Sequence, residues 1–286
     1  MNTILVTGSN GQLGSEIKAL APKHVNYTFI FTDIEELDIC NPIEVANFIG
    51  TNSIDIIINC AAYTAVDRAE AQIDLADAIN HLAVKNMATI AKEKGIQLVH
   101  ISTDYVFDGS NHRPYLETDT PNPQSVYGET KLAGEQAMQQ INPINSVIIR
   151  TSWVYSNYGN NFVNTMLRLA KERDEINVVS DQLGTPTNAA DLAQAILTIL
   201  PKLNNDAVEL FHYSNAGACS WYDFAKAIFQ MKGVTIKVNP IESSQYPTAA
   251  ERPFYSVLNK GNITKRYKVR IPYWRDSLLV CIKNIK

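Results

Sequence analysis

Tyr127-Gly128-Glu129-Thr130-Lys131 sets a phenol and an amine one helical turn apart, so both side chains face the same way from one helix. An ordinary tyrosine, with a pKa of about 10, does little acid–base work at neutral pH unless neighbouring cations favour its anion. Lys131 is such a cation, and an oxidised nicotinamide would be another. Ser102-Thr103-Asp104 lies about 24 residues earlier, at the end of the apolar run Leu98-Val99-His100-Ile101, and offers hydroxyls to the same place. A phenol, a hydroxyl and a nearby ammonium are groups that can together move a proton.

These groups must be held by an ordered scaffold, and the chain supplies the pattern of one. Runs at Thr3–Thr7, Tyr27–Thr32, Ile54–Asn59, Gln97–Ser102 and Ser146–Arg150 read as strands, and helical patterns near 12–21, 42–50, 73–93 and 128–140 fall between them. Continuously apolar strands such as Ile54-Asp55-Ile56-Ile57-Ile58 suit a parallel sheet covered on both faces. The alternation predicts an α/β fold, a Rossmann-type doubly wound parallel sheet with a smaller, interleaved C-terminal substrate domain. Residues 1–150 with returning segments near 174–213 would form the dinucleotide-binding domain, and the remainder of 151–286 the substrate lobe.

Gly8-Ser9-Asn10-Gly11-Gln12-Leu13-Gly14 sits between the first strand and the first helix. Gly8 permits a tight exit from the strand, Gly11 leaves no Cβ where backbone must approach a pyrophosphate, and Gly14 lets the helix pack closely on the sheet. The helix N-terminus then presents N–H groups to phosphate. Asp33 ends the second strand, 25 residues beyond Gly8, where a carboxylate can hold an adenosine ribose and repel a 2′-phosphate. That leans toward NADH, with NADPH left open. Ile34 follows it, and Ala61-Ala62-Tyr63-Thr64 places small residues past the third strand where a cofactor could lie against backbone.

The bulk numbers narrow the class. The 286 residues carry 25 basic against 29 acidic side chains, net charge -4, and 45% are hydrophobic. No global charge favours nucleic acid or an anionic membrane, and no apolar run approaches the roughly 20 residues a bilayer span needs. With no basic-then-apolar leader pattern, a cytoplasmic protein is expected. Cys40, Cys60, Cys219 and Cys281 are too far apart for a C-x-x-C site, and the five histidines show no metal-binding spacing, so no catalytic metal is expected.

Taken together, Gly8-x-x-Gly11-x-x-Gly14, Thr103 and Tyr127-x-x-x-Lys131 resemble the extended short-chain dehydrogenase/reductase superfamily. "STDYVFDG" (102–109), "YGETKLAGE" (127–135), "RTSWVY" (150–155), "GNNF" (159–162), "MLRLAKER" (166–173), "SDQLGTPT" (180–187) and "ERP" (251–253) are similar, more narrowly, to the dTDP-4-dehydrorhamnose reductase family. That resemblance implies reduction of the 4-keto group of a dTDP-6-deoxy-hexulose by NADH or NADPH. It implies Tyr127 as proton donor, Lys131 as the group that lowers the phenol pKa and holds the nicotinamide ribose, and Thr103 on the keto oxygen. Gly8, Gly11, Gln12, Leu13, Gly14, Asp33, Ile34, Ala61, Ala62, Tyr63 and Thr64 would hold the cofactor with Tyr127 and Lys131. Asp104, Phe107, Trp153 and Asn161 would face the sugar, and Arg252 would fork onto the diphosphate.

Some members join subunits through a metal held by acidic side chains. Glu16 and Asp191 correspond here, but Ala190 replaces a further acid, so Mg2+ is not expected and the chain is monomer or homodimer. Two other readings stay open. Epimerases and dehydratases of the superfamily share the Thr-Tyr-Lys groups, although dehydratases usually follow the Ser/Thr with Asp-Glu where this chain has Asp104-Tyr105. A non-catalytic binding subunit, like the regulatory β subunit of methionine adenosyltransferase, also resembles these reductases.

Overall fold

In the computed structural model, which describes residues 1–285, β-branched runs at the expected places pair into one six-stranded parallel sheet. Its strands in chain order are β1 (Asn2–Thr7), β2 (Tyr27–Thr32), β3 (Ile56–Asn59), β4 (Gln97–Thr103) and β5 (Val147–Thr151), completed by Glu209–His212. Spatially the order is β2, β1, β3, β4, β5, Glu209–His212. The chain runs outward from β1 to β2 and then crosses back to β3 on the other side of β1. That reversal opens a crevice between the carboxyl ends of β1 and β3, where open α/β sheets bind ligands.

Both faces of the sheet are buried, which explains strands that are apolar at every position. One face packs Ile4, Val6, Ile56 and Val99 against helices Gln12–Leu20 and Ala189–Ile199. The other packs Leu5, Ile57, Leu98 and Ile148 against helices Pro42–Thr51, Ala83–Lys94 and Val126–Ile141. A separate core gathers helices Phe162–Glu172, Trp221–Lys232 and Trp274–Asn284 around Ile176, Val178 and Val238.

Two expectations need correction. Strand Glu175–Val179 was a candidate to return to the main sheet, but it pairs in parallel with Lys237–Ile241 inside this separate core. Only the later segment returns, with helix Ala189–Ile199 covering one face and Glu209–His212 flanking β5. The helical pattern at 73–93 is also not one regular helix, because residues Ala78–Leu82 form a π-helical turn between Ile73–Asp77 and Ala83–Lys94. Helical periodicity cannot reveal one wider turn, yet such turns occur often at functional sites.

Among the described residues, no helix is long and apolar enough to cross a membrane.

Candidate active site

The glycine loop occupies the crevice. Gly8 lies at φ +62°, and a Cβ there would stand 2.7 Å from both the Cα and the N of Ala61. A Cβ on Gly14 would stand 2.5 Å from the Gly8 carbonyl oxygen and from Ser9 Cα. Gly11 starts helix Gln12–Leu20 and provides no side-chain cap, so the first-turn N–H groups are free of any capping side chain. This cradle, which Cβ atoms would fill, fits a pyrophosphate against backbone.

Asp33 serves the same loop. Its carboxylate accepts from the backbone N–H of Asn10 at 2.9 Å and from that of Ile34 at 2.9 Å, tying the loop to the end of β2. Each oxygen keeps a lone pair for a ribose hydroxyl. Ile34, exposed beside it, presents an apolar side chain to the solvent edge of the crevice.

Past β3, Tyr63 is clamped by Asn80 of the π-helical turn: Tyr63 N donates to Asn80 Oδ1 at 2.9 Å, and Asn80 Nδ2 donates to Tyr63 O at 3.1 Å. Asn80 Nδ2 also reaches the Thr130 hydroxyl at 3.2 Å, one residue before Lys131. Asn80 thus joins the segment Ala61–Thr64 to the helix carrying Tyr127 and Lys131. Sequence reading missed it, since only the widened turn aims it inward.

The chemical groups converge at the carboxyl end of β4. Ser125 caps helix Val126–Ile141, its hydroxyl accepting from Gly128 N at 3.3 Å, which places Tyr127 in the first turn. Thr103 Oγ1 accepts from Tyr105 N at 3.2 Å and donates to Asp104 Oδ1 at 3.0 Å. Burial pushes the Tyr127 phenol up to about 12, with the Thr103 hydroxyl working against that rise and Asp104 adding to it. The phenol therefore keeps its proton at neutral pH, as a proton donor must. Lys131 is fully buried and directs its amine to the Ile101 carbonyl at 2.6 Å and to His100 Nε2 at 3.4 Å. Burial brings it down to about 8, against the pull of Glu135. The expected lowering of the phenol pKa by Lys131 is not found, because the amine turns to Ile101 and His100 and burial dominates at Tyr127.

Asp104 is 2% exposed, and its Oδ2 is buried without a hydrogen-bond partner. Burial pushes its carboxyl up to about 7. A carboxyl held up binds its proton more tightly in the folded chain, so stability falls as pH rises from about 4 to about 7. Asp104→Asn is expected to remove that fall. In urea titrations across this window, the stability difference between the variant and the parent should grow toward roughly 4 kcal/mol at pH 8, the worth of a three-unit shift. A pH-independent difference would assign the slope elsewhere.

Not every expected residue reaches the site. Phe107 is 2% exposed, stacked on Tyr115 at 4.1 Å with the Arg150 guanidinium 5.0 Å from its ring centre. It is a packing residue with no face left for a sugar. Asn161 caps helix Phe162–Glu172, accepting from Asn164 N at 3.0 Å while donating to Ser156 O at 2.8 Å and to Tyr158 O at 3.3 Å. Its amide is fully used by the local turn, so it is a cap rather than a sugar contact. The side chain of Leu13 lies in the sheet core, whereas Gln12 reaches across to the Val154 carbonyl at 3.4 Å and leaves a buried Oε1 unpartnered.

Trp153, also expected to face the sugar, adopts an unusual conformation. Its φ is +48°, rare for a bulky side chain, and its ring stacks on Trp221 with centres 3.5 Å apart. Gly184 makes room for it, since a Cβ there would come within 2.5 Å of the indole. Neither Trp221 nor Gly184 could be read from local pattern. Arg252 is held in a two-pronged ion pair by Asp67, at 2.9 Å and 2.7 Å. Asp67 follows β3 and Arg252 lies 185 residues further along the chain, so this pair ties two distant segments together.

The two acids considered for a subunit-bridging metal are otherwise engaged: Glu16 accepts from Ser156 at 2.7 Å, and Asp191 from Asn215 at 2.7 Å. Among the described residues, no group of three or more His, Cys, Asp and Glu side chains gathers as a metal site.

Comparison with known proteins extends this picture. The family model described as the RmlD substrate binding domain matches residues 1–286. The dTDP-4-dehydrorhamnose reductase of Sinorhizobium fredii is 43% identical over 282 residues, spanning 96% of this chain and 94% of the relative. A crystal structure of a dTDP-4-dehydrorhamnose reductase from Clostridium acetobutylicum superposes with a TM-score of 0.92 at 45% identity, covering 98% of each chain. One from Bacillus anthracis, in complex with NADP, superposes with a TM-score of 0.93 at 40% identity, covering 99% of each.

Proposed function

Because the chain belongs to the RmlD substrate binding domain family, we propose that it reduces the 4-keto group of dTDP-4-dehydro-6-deoxy-L-mannose to give dTDP-L-rhamnose. It is an oxidoreductase that uses a nicotinamide cofactor. The observation carrying the proposal is a protonated phenol on a half-buried ring at the carboxyl end of β4, beside the Thr103 hydroxyl and the crevice with the glycine cradle.

Gly8, Gly11 and Gly14 hold the pyrophosphate, Asp33 the adenosine ribose, and the backbone at Ala61, Ala62, Tyr63 and Thr64 lines the path to the site. When bound, the reduced nicotinamide supplies hydride to the ketone carbon. Hydride addition alone would leave an alkoxide, so a positioned acid lowers the barrier. Thr103 and Tyr127 orient the keto oxygen, and Tyr127 transfers its phenolic proton to that oxygen. Lys131 supplies positive charge in the same pocket and steadies the phenolate that remains. Asp104 turns its unpartnered Oδ2 toward a sugar hydroxyl, Trp153 provides a flat wall for the deoxyhexose, and Arg252 exchanges Asp67 for the diphosphate.

Asp33 accepts both reduced nicotinamides but favours the one without a 2′-phosphate. With the dTDP-4-keto-6-deoxy-L-hexulose as substrate, one nicotinamide should be oxidised per ketone reduced, with kcat/KM higher for NADH than for NADPH. Conversion of the sugar without loss of reduced-nicotinamide absorbance would instead identify an epimerase or dehydratase. Nucleotide-sugar binding with no turnover would identify a binding subunit. The protein acts as monomer or homodimer in the cytoplasm.

A further inference from the structure

Beneath the catalytic helix runs a row of buried polar groups of which the reaction described above uses only Lys131. Thr7 and Asn59 end β1 and β3, and His100 lies midway along β4, the three side by side in register across neighbouring strands. Lys131 closes the row from helix Val126–Ile141, and none of the four is more than 1% exposed.

The hydrogen bonds along this row determine where protons sit. Asn59 Oδ1 accepts from the Thr7 hydroxyl at 2.7 Å and from the backbone N–H of Ala61 at 3.2 Å. Turning the amide over would set its NH2 against the Ala61 N–H, donor against donor. The amide is therefore held with Nδ2 toward His100 Nδ1, 3.1 Å away, and donates to it. A ring nitrogen that accepts carries no proton, so the neutral imidazole bears its one proton on Nε2. That nitrogen is the one facing Lys131 Nζ at 3.4 Å.

We propose that Asn59 locks His100 in the Nε2–H tautomer, and that this N–H, aimed at the Lys131 amine, makes His100 a positioning residue that weakens the hold of Lys131 on its proton. The proposal rests on the roles given to Tyr127 and Lys131 above. When Lys131 titrates, an N–H bond of its ammonium breaks and the proton passes to water. The lone pair freed on Nζ accepts from His100 Nε2–H while the amine still donates to the Ile101 carbonyl.

An ammonium facing an N–H donor is poorly solvated, whereas a neutral amine there is satisfied on both sides. From β4 the amine meets only His100 and Ile101. Its own helix contributes Tyr127 and Glu135, and Glu135 is neutralised by Arg150 of β5, which forks onto it at 2.9 and 2.6 Å. Burial and the charge of Lys131 hold His100 well below its ordinary range, so the ring stays neutral.

Two variants separate the tautomer from simple charge. Asn59→Asp keeps both hydrogen bonds at Oδ1 and puts an acceptor opposite Nδ1, which should turn the ring to the Nδ1–H form with a lone pair toward Lys131. His100→Asn keeps an acceptor for Asn59 through its own Oδ1 and removes the Nε2–H without adding charge. The readouts are histidine 15N shifts in the whole cofactor-free protein, the titration of Lys131 followed at 13Cε and 15Nζ, and the alkaline limb of kcat. The expected results are an Nε2–H pattern unchanged between pH 5 and 9 in the parent, and a Lys131 midpoint near 8. That midpoint and the alkaline limb should rise by about one pH unit in both variants.

An Nδ1–H or imidazolium signal in the parent would overturn the proposal, even if neither variant folds. So would a midpoint that moves in Asn59→Asp and not in His100→Asn, because added charge alone would then explain it. Absence of turnover in the parent would sink the assigned reaction and leave the two NMR readouts to decide this proposal separately.

Discussion

Tyr127→Phe is expected to lower kcat at least about a hundredfold while leaving nicotinamide binding within about twofold of the parent. The substitution removes one oxygen from a half-buried ring that packs edge-on against Tyr105, with centres 5.4 Å apart. The ring and its packing remain, so the helix and the cofactor crevice should not change. What is lost is the phenolic hydroxyl beside Thr103, and loss of a positioned general acid typically costs a factor of about 10² to 10⁴. Because burial holds the phenol up near 12, the parent needs no pH adjustment to keep the donor protonated. Its acid limb should therefore not report Tyr127. Steady-state kinetics with a 4-keto sugar nucleotide, paired with cofactor titration by fluorescence, makes the comparison. A variant with near-normal kcat would strip Tyr127 of its role, and a variant with lost cofactor binding would make the tyrosine a structural element of the crevice instead.

Gly8→Ala should have an effect of similar size on a different quantity. The added methyl would meet three backbone atoms of the neighbouring strand end, the N and Cα of Ala61 at 2.7 Å and the carbonyl carbon of Cys60 at 2.9 Å. Backbone on β1 and β3 cannot step aside as a flexible side chain can, so the two strand tips must separate at the point where the phosphates are to sit. The positive φ of Gly8 adds a smaller conformational cost. The dissociation constant for the nicotinamide dinucleotide is expected to rise at least about a hundredfold, roughly 3 kcal/mol. Calorimetric titration measures this directly. Affinity within threefold of the parent would mean that the cofactor does not depend on the close approach of loop and strand. Together the two variants separate holding the cofactor from moving the proton.

Much of this was legible before any coordinates because the signals are local. An i, i+4 pair such as Tyr127 and Lys131 shares a helical face wherever that helix lies. A glycine-bearing turn between a strand and a helix states its own backbone requirement, and the φ of Gly8 meets it. Asp33 was placed by its distance along the chain from Gly8, and it does tie the glycine loop to β2. Strand runs such as Ile56–Asn59 differed from expectation only at their ends.

Elements whose neighbours come from far along the chain were not legible in this way. Glu175–Val179 has the pattern of a strand, but its pattern does not say which sheet it joins, and Lys237–Ile241 captured it. Phe107 and Asn161 carry suitable side chains in motifs of a sugar site. Yet stacking on Tyr115 and capping of Phe162–Glu172 use up the surfaces that a ligand would need.

By itself, then, the amino-acid order determined the layered α/β architecture, the glycine turn after β1 and the Tyr–Lys pair, since each depends on backbone geometry over a few residues. Tertiary structure alone decided the charge and proton state of those groups. The Asp67 carboxylate on Arg252, the buried Asp104, and the row from Thr7 through Asn59 and His100 to Lys131 are all assembled by packing. Burial and hydrogen bonding set protonation, and both depend on which distant segments meet once the chain has folded.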